Sequence, residues 1–179
     1  MHVGKKIHEH LIATDNAGVQ EIARKYMQEC QLMSELHHPN ITVFLGLCFF
    51  PKYQYPLLVM EKLDGSLDDL LETIPGIPLA LKHSILEDAA RGLLYLHKHS
   101  PQIIHMDLTA KNVLLTPSLE AKISDFGNSY IVNVQPYLST SPATLVYMSP
   151  EALNESPHYS PSLDIFSFGH LTLFTLLQV

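Results

Sequence analysis

The sequence predicts an α+β fold, a small strand-and-helix half followed by a mainly helical half. Three observations predict it. Hydrophobic residues make up 46% of 179 residues, enough to bury a core in one domain or in two small lobes around one cleft. The first 62 residues carry strand-like runs and one helical stripe. From Leu63 onward helical periodicity dominates, interrupted by one short hairpin. The expected division is 1–62 and 63–179, with a hinge near Leu63–Gly65.

Residues 4–12 read as a short strand and 13–18 as a turn containing helix-capping residue types. From Val19 to Leu36 the period is helical, with Ile22, Tyr26, Met33 and Leu36 on one stripe. Glu29 intrudes on that stripe, seven residues after Ile22 and four before Met33. Pro39-Asn40 ends the helix. Residues 42–50 and 57–61 read as strands, bracketing a loop between Pro51 and Pro56. Leu63-Asp64-Gly65-Ser66 breaks the chain before a short helix over 67–72, and Pro75-Gly76-Ile77-Pro78 breaks it again. A long helix over 79–99 follows, with Ile85, Ala89, Leu93 and Leu96 on its buried stripe. Val113–Leu115 and Ala121–Ile123 read as a hairpin, and a long loop runs on to Pro150 and Pro161. The apolar stretch over 166–179 is too short to span a bilayer and reads as a buried helix cut off at its end.

Composition excludes some classes of function. A net charge of -7 argues against a nucleic-acid partner, which calls for a basic face. Two cysteines without repeated spacing are no disulfide framework and suit a reducing compartment. The N-terminus lacks the apolar run of a signal peptide. Eleven histidines draw the eye, but His8/His10, His37/His38 and His97/His99 have no partners at metal-ligand spacing.

The chemistry concentrates elsewhere. A carboxylate on a buried stripe is costly unless a cation or several donors meet it, and the nearest upstream cations to Glu29 are Lys5 and Lys6. Taken alone, Glu29 is equally a solvent-turned residue on a frayed face. Further on, His105-Met106-Asp107-Leu108-Thr109-Ala110-Lys111-Asn112 is followed, one hairpin later, by Asp125-Phe126-Gly127. Asp107 can accept a proton from an incoming hydroxyl, and Asn112 can ligate magnesium. A polar helix-to-strand turn is the plainer reading of the first motif alone. A lone Asp-Phe-Gly triplet is also weak. The two motifs in this order are specific.

Together they resemble the catalytic loop and metal-binding triplet of the protein kinase superfamily, tyrosine-kinase-like or tyrosine kinase group. Ser149-Pro150-Glu151, Asp164-Ile165-Phe166-Ser167-Phe168-Gly169 and His38-Pro39-Asn40-Ile41 extend the likeness from about Lys5 to the end. It implies a two-lobe kinase-like fold, with an N-lobe lacking its first two strands and a truncated, mainly helical C-lobe. It implies ATP and Mg2+ as cofactors and a protein hydroxyl as acceptor. Asp107 would orient the hydroxyl, and Asn112 and Asp125 would ligate the metal. Lys5, in preference to Lys6, would pair with Glu29 and hold the ATP phosphates. Met60 would be the gatekeeper, Glu61 and Leu63 would present backbone to the purine, and Leu114 would floor the ring. Asp164 would brace the catalytic loop.

The pattern is broken in four places. No glycine-rich phosphate loop is present, and the link from the lysine to Glu29 is long. The lysine itself is ambiguous. Met106 stands where the family has an arginine that meets a phosphorylated loop residue, so activation through Tyr137, Ser139, Thr140 or Ser141 is not expected. The chain stops within the central C-lobe helix, which would leave Leu171, Phe174 and Leu177 as a self-association surface. A catalytically impaired pseudokinase or interaction fragment is therefore the alternative. Substrate signals conflict: Lys111 before Asn112 is tyrosine-kinase-like, whereas Ala143-Thr144-Leu145-Val146-Tyr147-Met148 resembles serine/threonine kinases. The expected location is cytoplasmic, or a cytoplasmic portion of a larger protein, with no membrane segment in the chain.

Overall fold

A computed structural model describes residues 16–49, 57–132, 147–153 and 159–178, with side chains described from Tyr26 onward and not for 152–153. Contacts divide the described residues into two units. The first takes those up to His37 together with Thr42–Lys62. The second takes His38–Ile41 and everything from Leu63 on.

In the first unit, helix α1 spans Asn16–Glu35. It starts inside the segment expected to turn, because each residue added to an existing helix gains a backbone hydrogen bond. Tyr26, Cys30, Leu32, Met33 and Leu36 are buried, and Glu29 is buried with them. Strands β1 (Phe44–Cys48) and β2 (Leu57–Met60) pair antiparallel. They are shorter than their apolar runs. The register shifts between Phe44 and Gly46, where Gly46 takes φ 146°. Beyond the ladder, Val43 N–H donates to Glu61 Oε1 at 2.7 Å and Glu61 N–H to Val43 O at 3.0 Å. The strand expected over 4–12 lies outside the described residues.

The second unit begins on Leu63 with a piece that sequence reading treats as a plain break. Gly65–Ser66 forms β3, which pairs with β5 (Val113–Leu115), and β5 pairs with β6 (Ala121–Ile123) in the expected hairpin. Ser66 then caps α2 (Leu67–Thr73): its hydroxyl accepts from Asp69 N–H at 3.1 Å, and Asp69 Oδ2 accepts from Ser66 N–H at 2.8 Å. The Ser66 hydroxyl and N–H hold the Asp69 carboxyl below the usual carboxylate range.

Helix α3 (Leu79–Lys98) is the spine of this unit. Ile85, Ala89, Leu93 and Leu96 are buried as the periodicity requires. It packs on β6 and on α4 (Ser162–Leu177). Two further short strands, β4 (Ile103–Ile104) and β7 (Tyr130–Ile131), pair antiparallel. Asn40 stitches the His38–Ile41 segment to this unit. Its carbonyl accepts from Ile123 N–H at 2.9 Å and its side-chain amide donates to Ala121 O at 3.0 Å.

Helix α4 is buried along one face only. Leu163 and Leu171 are covered, while Ile165, Leu173 and Leu177 are exposed. Of the face expected to be open, Leu171 is buried, Phe174 is half-buried and Leu177 is exposed. Helix α4 packs on α3, where Lys82 Nζ donates to Leu176 O at 3.1 Å. Among the described residues no helix is long and apolar enough to cross a membrane.

Gly92 tests this packing. A Cβ there would meet Asn40 O at 2.6 Å and Ile123 Cδ1 at 3.1 Å. Glycine-to-alanine changes within helices ordinarily stabilise, but here the backbone oxygen has no room to yield. Gly92→Ala is expected to cost about 1–3 kcal/mol in urea unfolding, the range for overpacked sites.

Candidate active site

The loop after β4 is fixed from behind by a buried carboxylate. Asp164, in the first turn of α4, has no exposed surface. Its Oδ2 accepts from His105 N–H and its Oδ1 from Met106 N–H, each at 2.8 Å. His97 Nε2 lies 2.8 Å from Oδ2. Met106 takes φ 64°, a left-handed conformation that a residue with a Cβ adopts at a cost. The sequence reading gave Met106 a meaning only through its missing guanidinium. In the structure its backbone makes the turn.

His105 is fully buried and set between the two motifs. Its Nε2 lies 3.0 Å from Ser124 O, and its Nδ1 accepts from Asp107 N–H at 3.3 Å. That pair of partners selects the neutral tautomer with the proton on Nε2. The ring meets Phe126 edge-on, with centroids 5.2 Å apart, and Phe126 is buried.

Asp107, Asn112 and Asp125 come together at the open end of the β5–β6 hairpin. A 3-10 turn over Ala110–Asn112 leads into β5. Asn112 Nδ2 donates to Asp107 O at 2.7 Å. With its nitrogen so engaged, the Asn112 side chain would turn its oxygen to any ligand. Across the hairpin, Ser124 N–H donates to Asn112 O at 2.9 Å and Ser124 Oγ at 3.2 Å, which sets Asp125 beside Asn112. Asp125 takes φ 63°, so the left-handed residue of the triplet is the aspartate and not Gly127. Gly127 N–H lies 3.4 Å from Asp125 Oδ1.

The donor set suits magnesium carried in with phosphates. Among the described residues no three His, Cys, Asp or Glu side chains cluster to hold an ion alone. Asn112 and Asp125 could supply two hard oxygen ligands, and Mg2+ ordinarily fills its remaining positions with phosphate oxygens and water. Asp107 Oδ1 is buried and has no hydrogen-bond partner among the described residues. A buried acceptor without a partner is uncommon in folded chains.

The other expected residues are distributed as follows. Lys5 and Lys6 lie outside the described residues, as do Tyr137, Ser139, Thr140 and Ser141. Glu29 is 6% exposed on α1. Burial, then the Glu29 carboxylate, pushes the Cys30 thiol up to about 11, and burial pushes Tyr26 up to about 12. Met60 ends β2 and Glu61 follows it, in the first unit. Leu63 and Leu114 belong to the second unit, Leu114 half-buried opposite Ser66 and Lys122. Lys111 is largely exposed, 3.8 Å from Asp68. Tyr147 is tied to the loop by a hydrogen bond with the Ala110 backbone, and Ser167 Oγ donates to its carbonyl at 2.7 Å. Sequence reading missed Asn128, whose Nδ2 donates to Asp107 Oδ2 at 3.1 Å. Its only signal was its place one residue beyond the triplet.

Asp164→Asn is expected to destabilise the chain by about 2–4 kcal/mol in urea unfolding, because an amide nitrogen would face a backbone donor inside the core. For the thiols, reaction with a disulfide reagent at pH 8 is expected to label Cys48 promptly. Cys30, buried and held protonated, should react only on unfolding.

The protein kinase domain model matches residues 3–178. A probable serine/threonine-protein kinase of Dictyostelium discoideum is 35% identical over 150 residues, covering 81% of this chain and 14% of that protein. Dual specificity protein kinase shkA of the same organism is 32% identical over 155 residues, 84% of this chain and 29% of the relative. Receptor-interacting serine/threonine-protein kinase 3 of Rattus norvegicus is 35% identical over 158 residues, 83% and 33%. The chain thus spans at most a third of the length of these three curated relatives. With its loop, triplet and hairpin in the arrangement described, the chain belongs to the protein kinase family.

Proposed function

We propose that this chain catalyses transfer of the γ-phosphoryl group of ATP to a protein hydroxyl, with Asp107 as the proton acceptor and Asn112 and Asp125 as magnesium ligands. The observation that carries the proposal is the hydrogen-bonded link between the two motifs, Asn112 Nδ2 to Asp107 O at 2.7 Å and Ser124 N–H to Asn112 O at 2.9 Å. When bound, the magnesium–nucleotide supplies the phosphoryl group and neutralises charge on its oxygens. Asp107 takes the proton of the hydroxyl as that oxygen bonds to phosphorus and the bond to the ADP leaving oxygen breaks. Residues 1–62 would act as the nucleotide-covering lobe and 63–179 as the catalytic lobe. Within them, Lys5 would pair with Glu29, Met60 would guard the adenine pocket, and Glu61, Leu63 and Leu114 would contact the base.

The names of two of the three relatives favour serine or threonine as acceptor, and the third is a dual specificity kinase. Thr109, where a lysine is usual in serine/threonine kinases, is buried and brings no cation. A protein substrate is the partner this reading requires. Met106 brings no guanidinium to a phosphorylated loop, so we infer that transfer is not gated by loop phosphorylation.

The test is transfer of labelled phosphate from Mg–ATP to dephosphorylated casein. Asp107→Asn is expected to lower kcat by about 10²–10⁴-fold, the usual worth of a positioned proton acceptor. Equal rates in wild type and Asp107→Asn would sink the proposal.

A further inference from the structure

Asp107 has two carboxylate oxygens in different situations. Oδ2 accepts from Asn128 Nδ2 at 3.1 Å, whereas Oδ1 is buried with no partner among the described residues. The rest of the residue is already held, its N–H by His105 Nδ1 and its carbonyl by Asn112 Nδ2. What these bonds leave free are the two side-chain torsions that orient the carboxylate, and the Asn128 hydrogen bond opposes their rotation.

Asn128 is itself anchored on both sides. Gly127 N–H lies against the Asp125 carboxylate. Ser129 N–H donates to Phe126 O at 3.0 Å, and Ser129 Oγ to His105 O at 3.3 Å. Immediately beyond, Tyr130–Ile131 pairs with Ile103–Ile104. The amide is thus presented by a turn fixed to the same backbone that carries Asp107.

We propose that Asn128 is a positioning residue for Asp107: its amide holds Oδ2 and so fixes the orientation of the carboxylate that receives the proton. The inference rests on the reading of Asp107 as proton acceptor. An amide suits the task chemically. It donates a hydrogen bond without bringing a charge, so it orients the carboxylate without forming an ion pair. A lysine or arginine at the same place would form an ion pair and hold the carboxylate against protonation. An aspartate would repel it.

Three variants of the full chain separate this role from mere space filling. With Mg–ATP and casein, Asn128→Ala is expected to lower kcat by about tenfold, with KM for ATP unchanged, as for an interaction that orients only the reacting group. Asn128→Asp, nearly the same shape, should lower kcat further because it removes the donor and adds a like charge. Asn128→Gln, which keeps the amide, should recover part of the loss. A packing role predicts the reverse order, with Ala worst and Asp mild, and a lowered thermal midpoint tracking the loss. That order would overturn the proposal, as would an unchanged kcat in all three.

A second measurement does not depend on turnover. In nitrogen-15 NMR of the unliganded wild type, the Asn128 side-chain amide protons should exchange more slowly than those of a solvated asparagine, and Asp107→Ala should remove the difference. A solvent-like amide in wild type overturns the clamp even if the protein transfers phosphate. A protected amide in a protein with no transfer above Asp107→Asn would leave the clamp standing and instead overturn the functional reading.

Discussion

The carboxylate of Asp164 accepts two backbone N–H bonds and meets one imidazole, all at 2.8 Å, without exposure to solvent. A charge so buried is tolerated only when its lone pairs are filled, and filling them dictates where the backbone of His105 and Met106 must lie. Magnitudes decide the contest at Met106. A left-handed residue with a Cβ costs about 1–2 kcal/mol. A hydrogen bond to a charged acceptor contributes about 1.5–3 kcal/mol. Two such bonds from adjacent N–H groups outweigh the backbone cost, so the turn persists.

From that turn the geometry propagates by short steps. His105, once placed, reaches Ser124 O on one side and Asp107 N–H on the other. Asn112 reaches back to the Asp107 carbonyl, and Ser124 reaches across to the Asn112 carbonyl. Each bond joins one motif to the other or fixes a residue between them. The three polar side chains with candidate chemical roles make few of these bonds themselves. Backbone groups and neighbouring side chains carry the construction, which leaves oxygens of Asp107 and Asn112 for other partners. Pre-organisation of this kind is what phosphoryl transfer asks of a protein, since positioning and charge neutralisation do most of the work.

Much of this was legible in the residues. The stripe of Ile85, Ala89, Leu93 and Leu96 and the hairpin of Val113–Leu115 with Ala121–Ile123 have strong periods, and both formed where expected. The pairs Gly65–Ser66, Ile103–Ile104 and Tyr130–Ile131 were not legible, because two residues have no period and pair only through distant partners. The loop and triplet were legible as motifs, which give residue types and order. They do not give Asn128, which acts through a contact 21 residues away, nor the left-handed backbone at Met106 and Asp125. On α4 the expectation differs from the structure at Leu171, because helical period says which residues align and not which neighbour covers them. Leu171 is buried and Leu177 is open.

The claim that the buried carboxylate holds the loop is tested most directly by amide hydrogen exchange at His105 and Met106. Both residues lie outside helices, where amides ordinarily exchange quickly. If Asp164 holds them, they should be as protected as the amides in the middle of α3 and open only with global unfolding. Exchange at the rate of exposed loop amides, with α3 still protected, would contradict the account.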